Sequence, residues 1–159
     1  QRLLAQPPER RRPQQRFLLR HADSLADPGE LTPDQTQHQR HHEGRTIGSD
    51  RAHVDWRPVQ KTLAHLRDHY TEPVYARDVA QAAGISESRL KVLFQEALGI
   101  SWVKYLQGYR IHRAAALLSE STYNVTEAAM AVGFESLSHF NATFRSFMGV
   151  SPKHYARRP

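Results

Sequence analysis

The stretch "AAMAVGFESLSHFNATFRSFMGVSP", from Ala128 to Pro152, contains two apolar-periodic segments separated by a sharp break. Apolar residues recur at intervals of three and four on both sides of the break, which predicts two amphipathic helices. Gly133 stands at the break, and Ser136 is placed to cap the second helix at its N-terminus. The side of that helix opposite its aromatic residues carries short or hydrogen-bonding side chains, namely Ser138, Asn141, Ala142 and Arg145.

The residues upstream of this stretch continue the helical pattern from Asp55 onward. Asn124 followed by Glu127 resembles a capping box, which predicts a helix from there to Gly133. Further helices are predicted over about 55–71, around 79–83, over about 86–98, over about 102–118, and from the pair Ser151-Pro152. No segment alternates as a strand would, so the sequence predicts an all-α fold.

The two capped helices repeat each other along the chain. A shift of 50 residues places Ser86 on Ser136 and Phe94 on Phe144, and a shift of 49 places Gly84 on Gly133. A short helix, a Gly-containing turn and a second, Ser-capped helix form the helix-turn-helix pattern. The sequence therefore predicts two such subdomains, at about 75–98 and 125–148, joined by a long linker helix at about 102–118. Their predicted core residues are Leu90, Phe94, Gly133, Phe134, Phe140 and Phe144.

In a helix-turn-helix the second helix enters the DNA major groove, so its outer face meets base edges and phosphates. Lys can reach guanine acceptors, Asn can pair with adenine, and Val or Ala can contact a thymine methyl group. The candidate DNA-binding residues of the first recognition helix are Glu87, Ser88, Lys91, Val92 and Gln95. Those of the second are Ser136, Leu137, Ser138, His139, Asn141, Ala142 and Arg145.

Three motifs resemble the C-terminal DNA-binding domain of the AraC/XylS family of bacterial transcription regulators. They are "DVAQAAGISESRLKVLFQEALGIS", "YLQGYRIHRAAALLSES" and "VTEAAMAVGFESLSHFNATFRSFMGVSPKHYAR", and the resemblance spans 55–158. It implies two helix-turn-helix subdomains that read adjacent major-groove segments on one face of DNA. The family often carries Arg where this chain has Val92 and Ala142, so the guanine contacts expected there are missing. Most members also carry an N-terminal sensing and dimerisation domain.

Composition separates residues 1–54 from the rest. Pro, Gln, His and Arg are scattered there without a helical or strand period, which predicts a poorly ordered segment. It is too short for the family's usual β-barrel, and a remnant of a sensor domain is one interpretation of it. The first residue is not methionine, which leads us to expect a fragment, a trimmed chain or a start site assigned incorrectly.

Charge and cysteine content narrow the class of protein. From Trp56 onward there are thirteen Lys or Arg against eight Asp or Glu, which gives +5 of the total net charge of +6. Double-stranded DNA is therefore the expected partner. The resemblance to transcription regulators adds RNA polymerase as a second candidate. The chain has no cysteine, and no apolar run approaches the roughly 18 residues that a membrane span needs. We expect a cytoplasmic protein whose DNA-binding domain is monomeric and contacts no membrane.

A protein-interaction module and an enzyme are the two alternatives to DNA binding. A helix-turn-helix domain without its arginines could have become a protein-interaction module. An enzyme would need a nucleophile beside a base, paired carboxylates or a Gly-rich phosphate loop, and none of these is convincing here. His65 and His69 are four apart on a helix but have no third ligand nearby, so we expect no metal site and no cofactor.

Overall fold

The computed structural model describes residues 55–120 and 123–157. Over these residues the chain is helical, without strands, and the predicted all-α fold is confirmed. The predicted disorder of residues 1–54 lies outside the described residues. The seven helices of the described part are α1 (Trp56–His69), α2 (Ala76–Ala83), α3 (Glu87–Leu98), α4 (Trp102–Ser119), α5 (Val125–Ala131), α6 (Leu137–Met148) and α7 (Pro152–Ala156).

The turns that follow α2 and α5 have the same hydrogen bonds, offset by 49 residues. The amide of Gly84 donates to the carbonyl of Gln81 at 3.0 Å, and the amide of Gly133 donates to that of Met130 at 3.0 Å. Both glycines have a positive φ, at 71° and 86°. Since an L-residue rarely adopts this left-handed conformation, glycine is favoured at both turns. The next amides, of Ile85 and Phe134, donate to Ala80 and Ala129, each at 3.0 Å.

The end of α5 differs from the sequence prediction. We expected this helix to end at Gly133, but its last helical residue is Ala131. The left-handed backbone of Gly133 is incompatible with an α-helix, so the helix must end before it. The predicted capping box at its other end is confirmed: Asn124 accepts from the Glu127 amide, and the Glu127 carboxylate accepts from the Asn124 amide.

Serine caps open both longer helices of the repeat, as predicted. The Ser86 hydroxyl accepts from the Arg89 amide at 3.2 Å, and the Ser136 hydroxyl accepts from the His139 amide at 3.3 Å. Each bond satisfies one of the amides that lack a partner at a helix start. Ser101 and Ser151 cap α4 and α7 in the same way.

Helix α4 changes its buried face halfway along. Its first half buries Trp102, Tyr105, Leu106 and Tyr109, whereas its second half buries Ile111, Ala114, Ala115 and Leu118. At roughly 100° per residue these two sets lie on opposite sides of the helix. The ring of Tyr105 contacts Phe94 of α3, and α4 also packs against α5, α6 and α7. The linker helix therefore supplies part of the core of both helix-turn-helix units.

Burial matches the predicted core except at Gly133, which is half-buried. Leu90 and Phe94 are fully buried in the first unit, and Phe140 and Phe144 in the second. Phe134 is also buried, and its ring lies edge-on to Phe140 with 5.2 Å between the centroids. Phe147, another aromatic at the same helical spacing, is buried as well.

A second connection joins the two units through a polar side chain of α4. Arg110 of α4 donates its Nε–H to the carbonyl of Tyr70 at 2.7 Å and an Nη2–H to the carbonyl of Glu72 at 2.8 Å. Its guanidinium carbon lies 5.9 Å from the ring centroid of Phe134, in the turn of the second unit. Gly133 completes the arrangement, since a Cβ atom there would stand 2.7 Å from the carbonyl oxygen of Tyr70. We call these residues, Arg110, Gly133, Phe134 and the backbone of 70–72, the clasp.

Candidate DNA-binding surface

The outer face of α3 carries the candidate residues of the first unit. The helix buries Leu90, Leu93, Phe94 and Ala97, and its period turns the remaining positions outward. Glu87, Ser88, Lys91, Val92 and Gln95 are all exposed. Val92 keeps 48% of its surface exposed, which is notable for a large apolar side chain in the middle of a helix.

The outer face of α6 carries the candidates of the second unit. Phe140, Thr143, Phe144 and Phe147 are buried, whereas Ser138, Asn141, Ala142 and Arg145 are exposed. Neither Arg145 nor Lys91, the basic candidate on the first unit's helix, forms an ion pair within the described part of the chain. Their positive charges are therefore available to a partner from solution.

Two of the predicted site residues at the start of α6 also have local contacts. The Ser136 hydroxyl caps the helix, and the ring of His139 lies edge-on to Phe134 with 5.3 Å between the centroids. Leu137, the first residue of α6, is 40% exposed. These contacts fix the N-terminal turn of α6, which is the part of a recognition helix that reaches base edges.

A groove of about 440 Å³ runs between the first half of α4 and the helix α6. Lys104 and Gln107 line it from α4, and His139 and Ala142 line it from the candidate recognition helix. None of its lining residues is acidic. Lys104 and Gln107 were not predicted as site residues; the available signal was their position on the side of α4 opposite Trp102 and Tyr105.

His65 and His69, the pair weighed as metal ligands, lie next to each other on α1 with 4.5 Å between their ring centroids. Burial lowers the pKa of His65, and the neighbouring His69 lowers it further. Within residues 55–120 and 123–157 no group of three or more potential ligands is placed to hold a metal ion. No helix of this described part is both long and apolar enough to cross a bilayer.

The chain is similar to known helix-turn-helix proteins. A family model described as a helix-turn-helix domain matches residues 79–158. The chain is 34% identical over 99 residues to the HTH-type transcriptional regulator YdeC of Bacillus subtilis, an alignment that covers 62% of this chain and 34% of YdeC. It is 27% identical over 99 residues to the melibiose operon regulatory protein of Escherichia coli strain K12, and this alignment covers 62% of this chain and 33% of that protein. The chain thus spans about a third of the length of these relatives.

Solved structures show the same fold. An AraC-type transcriptional regulator from Chromobacterium violaceum superposes with a TM-score of 0.59 at 27% identity, covering 64% of this chain and 94% of that one. The DNA-binding domain of AdpA, solved in complex with a target DNA, superposes with a TM-score of 0.58 at 28% identity. This superposition covers 62% of this chain and 89% of the AdpA domain.

Two Ser-capped helix-turn-helix units built on one shared helix define a double helix-turn-helix protein. The family model and the solved relatives agree with this class. The chain belongs to the AraC-type helix-turn-helix family, and the resemblance noted from its motifs is confirmed.

Proposed function

We propose that this protein is a sequence-specific DNA-binding regulator of transcription, whose helices α3 and α6 enter two successive major grooves. The observation that carries the proposal is the repeated, Ser-capped helix with an exposed outer face of short or basic side chains. Relatives named as transcriptional regulators, and the AdpA domain solved with DNA, support it. RNA polymerase as a second partner and a cytoplasmic location are part of the same proposal.

The exposed side chains suit base recognition at two places. Lys91 can donate to guanine acceptors and Asn141 can pair with adenine, whereas Val92 and Ala142 are suited to thymine methyl groups. Arg145 lies in the last turn of α6, where a phosphate contact is expected. The groove beside α6, lined by Lys104 and free of carboxylates, can accept the sugar-phosphate backbone of the bound strand.

The length of α4 agrees with binding to two grooves. Its eighteen residues span about 27 Å at about 1.5 Å per residue, to which the widths of the two units are added. Successive major-groove segments on one face of B-DNA are roughly 34 Å apart. Since the two units are tandem copies and not related by a two-fold axis, the DNA site should be asymmetric.

We therefore expect one chain to protect about two turns of DNA, roughly 20 base pairs, at an asymmetric site. Selection of bound sequences from random DNA followed by footprinting would measure this, and the stoichiometry would be read from the mass of the complex. A chain lacking residues 1–50 should bind within about tenfold of the full chain, because those residues supply neither recognition helix. Protection of a single turn, or a palindrome that needs two chains, would contradict the proposal.

The two basic residues of the outer faces should differ in their effects. Lys91→Ala should weaken binding and relax one base position, with a loss of roughly 1–3 kcal/mol at the preferred base. Arg145→Ala should weaken binding to all DNA sequences alike and reduce the salt dependence of the affinity, because it removes a phosphate contact. Lys61→Ala, which removes an exposed charge from α1, is the matched control. The assignment is wrong if Arg145→Ala changes base preference and Lys91→Ala leaves affinity unchanged.

The alternative function is a protein-interaction module that no longer binds DNA specifically. The observation in its favour is that Val92 and Ala142 stand where the family often carries arginine, so two strong guanine contacts are missing. The salt dependence of DNA affinity distinguishes the two functions. In a DNA-binding regulator the affinity should fall steeply as the salt concentration rises, because Lys and Arg displace condensed counterions. An affinity for DNA that does not respond to salt would favour the interaction module.

A further inference from the structure

We propose that Arg110 is a positioning residue that fixes the separation and orientation of the two recognition helices, so that the protein selects DNA by the spacing between its two half-sites. The inference rests on the proposed function, because it requires that both helices contact DNA together. Arg110 itself contacts no DNA in this proposal. It acts through the clasp.

The clasp ties together three elements that are distant in sequence. Arg110 belongs to α4, the carbonyls of Tyr70 and Glu72 belong to the segment that leads into the first unit, and Phe134 belongs to the turn of the second. A guanidinium is planar and presents its donors in a fixed fork, so two hydrogen bonds to neighbouring carbonyls hold the segment in one orientation. The position of each unit is thereby fixed relative to the same side chain, that of Arg110.

The chemistry around Arg110 favours a tight connection. Its hydrogen bond to Tyr70 is partly buried, and a charged donor forms a stronger hydrogen bond than a neutral one. Burial lowers the pKa of Arg110, while the nearby carboxylate of Glu135 raises it and so favours the charged form. Tyr70 is held in turn, because its ring lies edge-on to Tyr109 of α4 with 5.1 Å between the centroids.

The glycine beside Arg110 brings two backbones together. A Cβ atom at Gly133 would stand 2.7 to 2.9 Å from backbone atoms of Tyr70 and Thr71, so the turn of the second unit lies directly against the segment before the first. Such contact between two backbones leaves little room for the units to rock about α4. We therefore expect the free protein to hold its two recognition helices at one separation.

A fixed separation has a measurable effect on DNA binding. When two binding elements are joined rigidly, the second contact is strong at the matching spacing and is lost at others, whereas a flexible joint flattens this dependence. One inserted base pair moves a half-site by about 3.4 Å and turns it by roughly 35° about the DNA axis. A rigid protein should detect this change, and one without the clasp should tolerate it better.

The test compares the affinity of the full chain for duplexes in which zero, one or two base pairs are inserted between the selected half-sites. The unaltered protein should lose about tenfold or more in affinity on one insertion, the size expected when one of two contacts is disturbed. Arg110→Gln and Arg110→Lys should bind the best spacing less tightly and discriminate between spacings by less than about threefold. Lys keeps the positive charge but lacks the planar guanidinium with its two donors. Arg110→Lys therefore distinguishes positioning by hydrogen bonds from electrostatic attraction to DNA.

Lys61→Gln is the matched control, because it removes one exposed positive charge outside the clasp. It should lower affinity similarly at every spacing and keep the preference. Arg110 variants that fold and keep the full spacing preference would overturn the inference, since a merely stabilising residue would leave that preference intact.

A second measurement does not depend on DNA, and its first arm needs no Arg110 variant. The chain has no cysteine, so spin labels can be attached at Ser88→Cys and Ser138→Cys alone. We expect a single narrow distance distribution between the labels in the free protein, and a broader one when Arg110→Lys is added. A broad distribution with Arg110 in place would refute the clasp. If the narrow distribution broadens with Arg110→Lys but the protein binds no DNA, the proposed function and the selection by spacing fail, while the positioning of the two helices by Arg110 stands.

Discussion

Phe144→Ala is expected to lower the free energy of unfolding by about 3–5 kcal/mol, because truncating a buried aromatic side chain removes its burial and leaves a cavity. The ring of Phe144 is fully buried in the second unit. It packs against Phe140 and Tyr155, with 5.5 Å between the ring centroids in each case. The loss is a large fraction of the stability of a small domain, which is roughly 5–15 kcal/mol. Chemical and thermal denaturation followed by circular dichroism would measure it.

Val92→Ala provides the control for this truncation. Its side chain is exposed on α3, and surface substitutions usually change stability by less than about 0.5 kcal/mol. Val92→Ala should therefore unfold at nearly the same temperature as the unaltered protein. An unchanged thermal midpoint for Phe144→Ala would mean that the buried face of α6 is assigned to the wrong side of the helix.

Gly133→Ala should destabilise the protein by about 2–5 kcal/mol, the sum of backbone strain at positive φ and steric overlap in a packed region. The new Cβ atom would stand 2.7 Å from the carbonyl oxygen of Tyr70 and 2.8 Å from that of Thr71. Real Cβ atoms essentially never approach so closely, and here the obstruction is backbone. The segment before the first unit would have to move away.

Gly84→Ala is a matched control that the internal repeat provides. Gly84 occupies the same position in the first turn and has a similar φ of 71°, but a Cβ atom there would meet nothing within 4 Å. Its substitution should cost about 1–2 kcal/mol, from backbone strain alone. The difference between the two variants, measured by denaturant titration, isolates the contact of Gly133 with Tyr70 and Thr71. Equal losses would show that this contact is relaxed in solution.

Local features of the fold were predictable from the sequence because their partners are near in the chain. The Ser86 and Ser136 caps and the Asn124–Glu127 box join residues three apart, and helical periodicity alone determines which sides of α3 and α6 are exposed. The exposed faces of the candidate site follow from the same periodicity. Their assignment to particular bases stays a prediction.

The clasp could not be predicted in this way. Arg110 bonds to main-chain carbonyls 38 and 40 residues away, and every residue carries a carbonyl, so no side-chain pattern marks the partners. Gly133 was recognisable as a turn residue, but its close approach to Tyr70 and Thr71 depends on tertiary packing. The groove between α4 and α6 was missed for the same reason, since periodicity does not reveal which neighbour a helix face meets.

The change of buried face along α4 determines how the two units could be exchanged between related proteins. Modules on a polar tether can be swapped by cutting the tether, but here each unit is completed by half of the same helix. A graft of the second unit without its half of α4 would expose to water the apolar surface that Ile111 and Leu118 cover, and a graft of the first would expose the surface that Trp102 and Tyr105 cover. The two parts of a chimeric protein should therefore be joined inside the helix, near Gly108, and not in a loop.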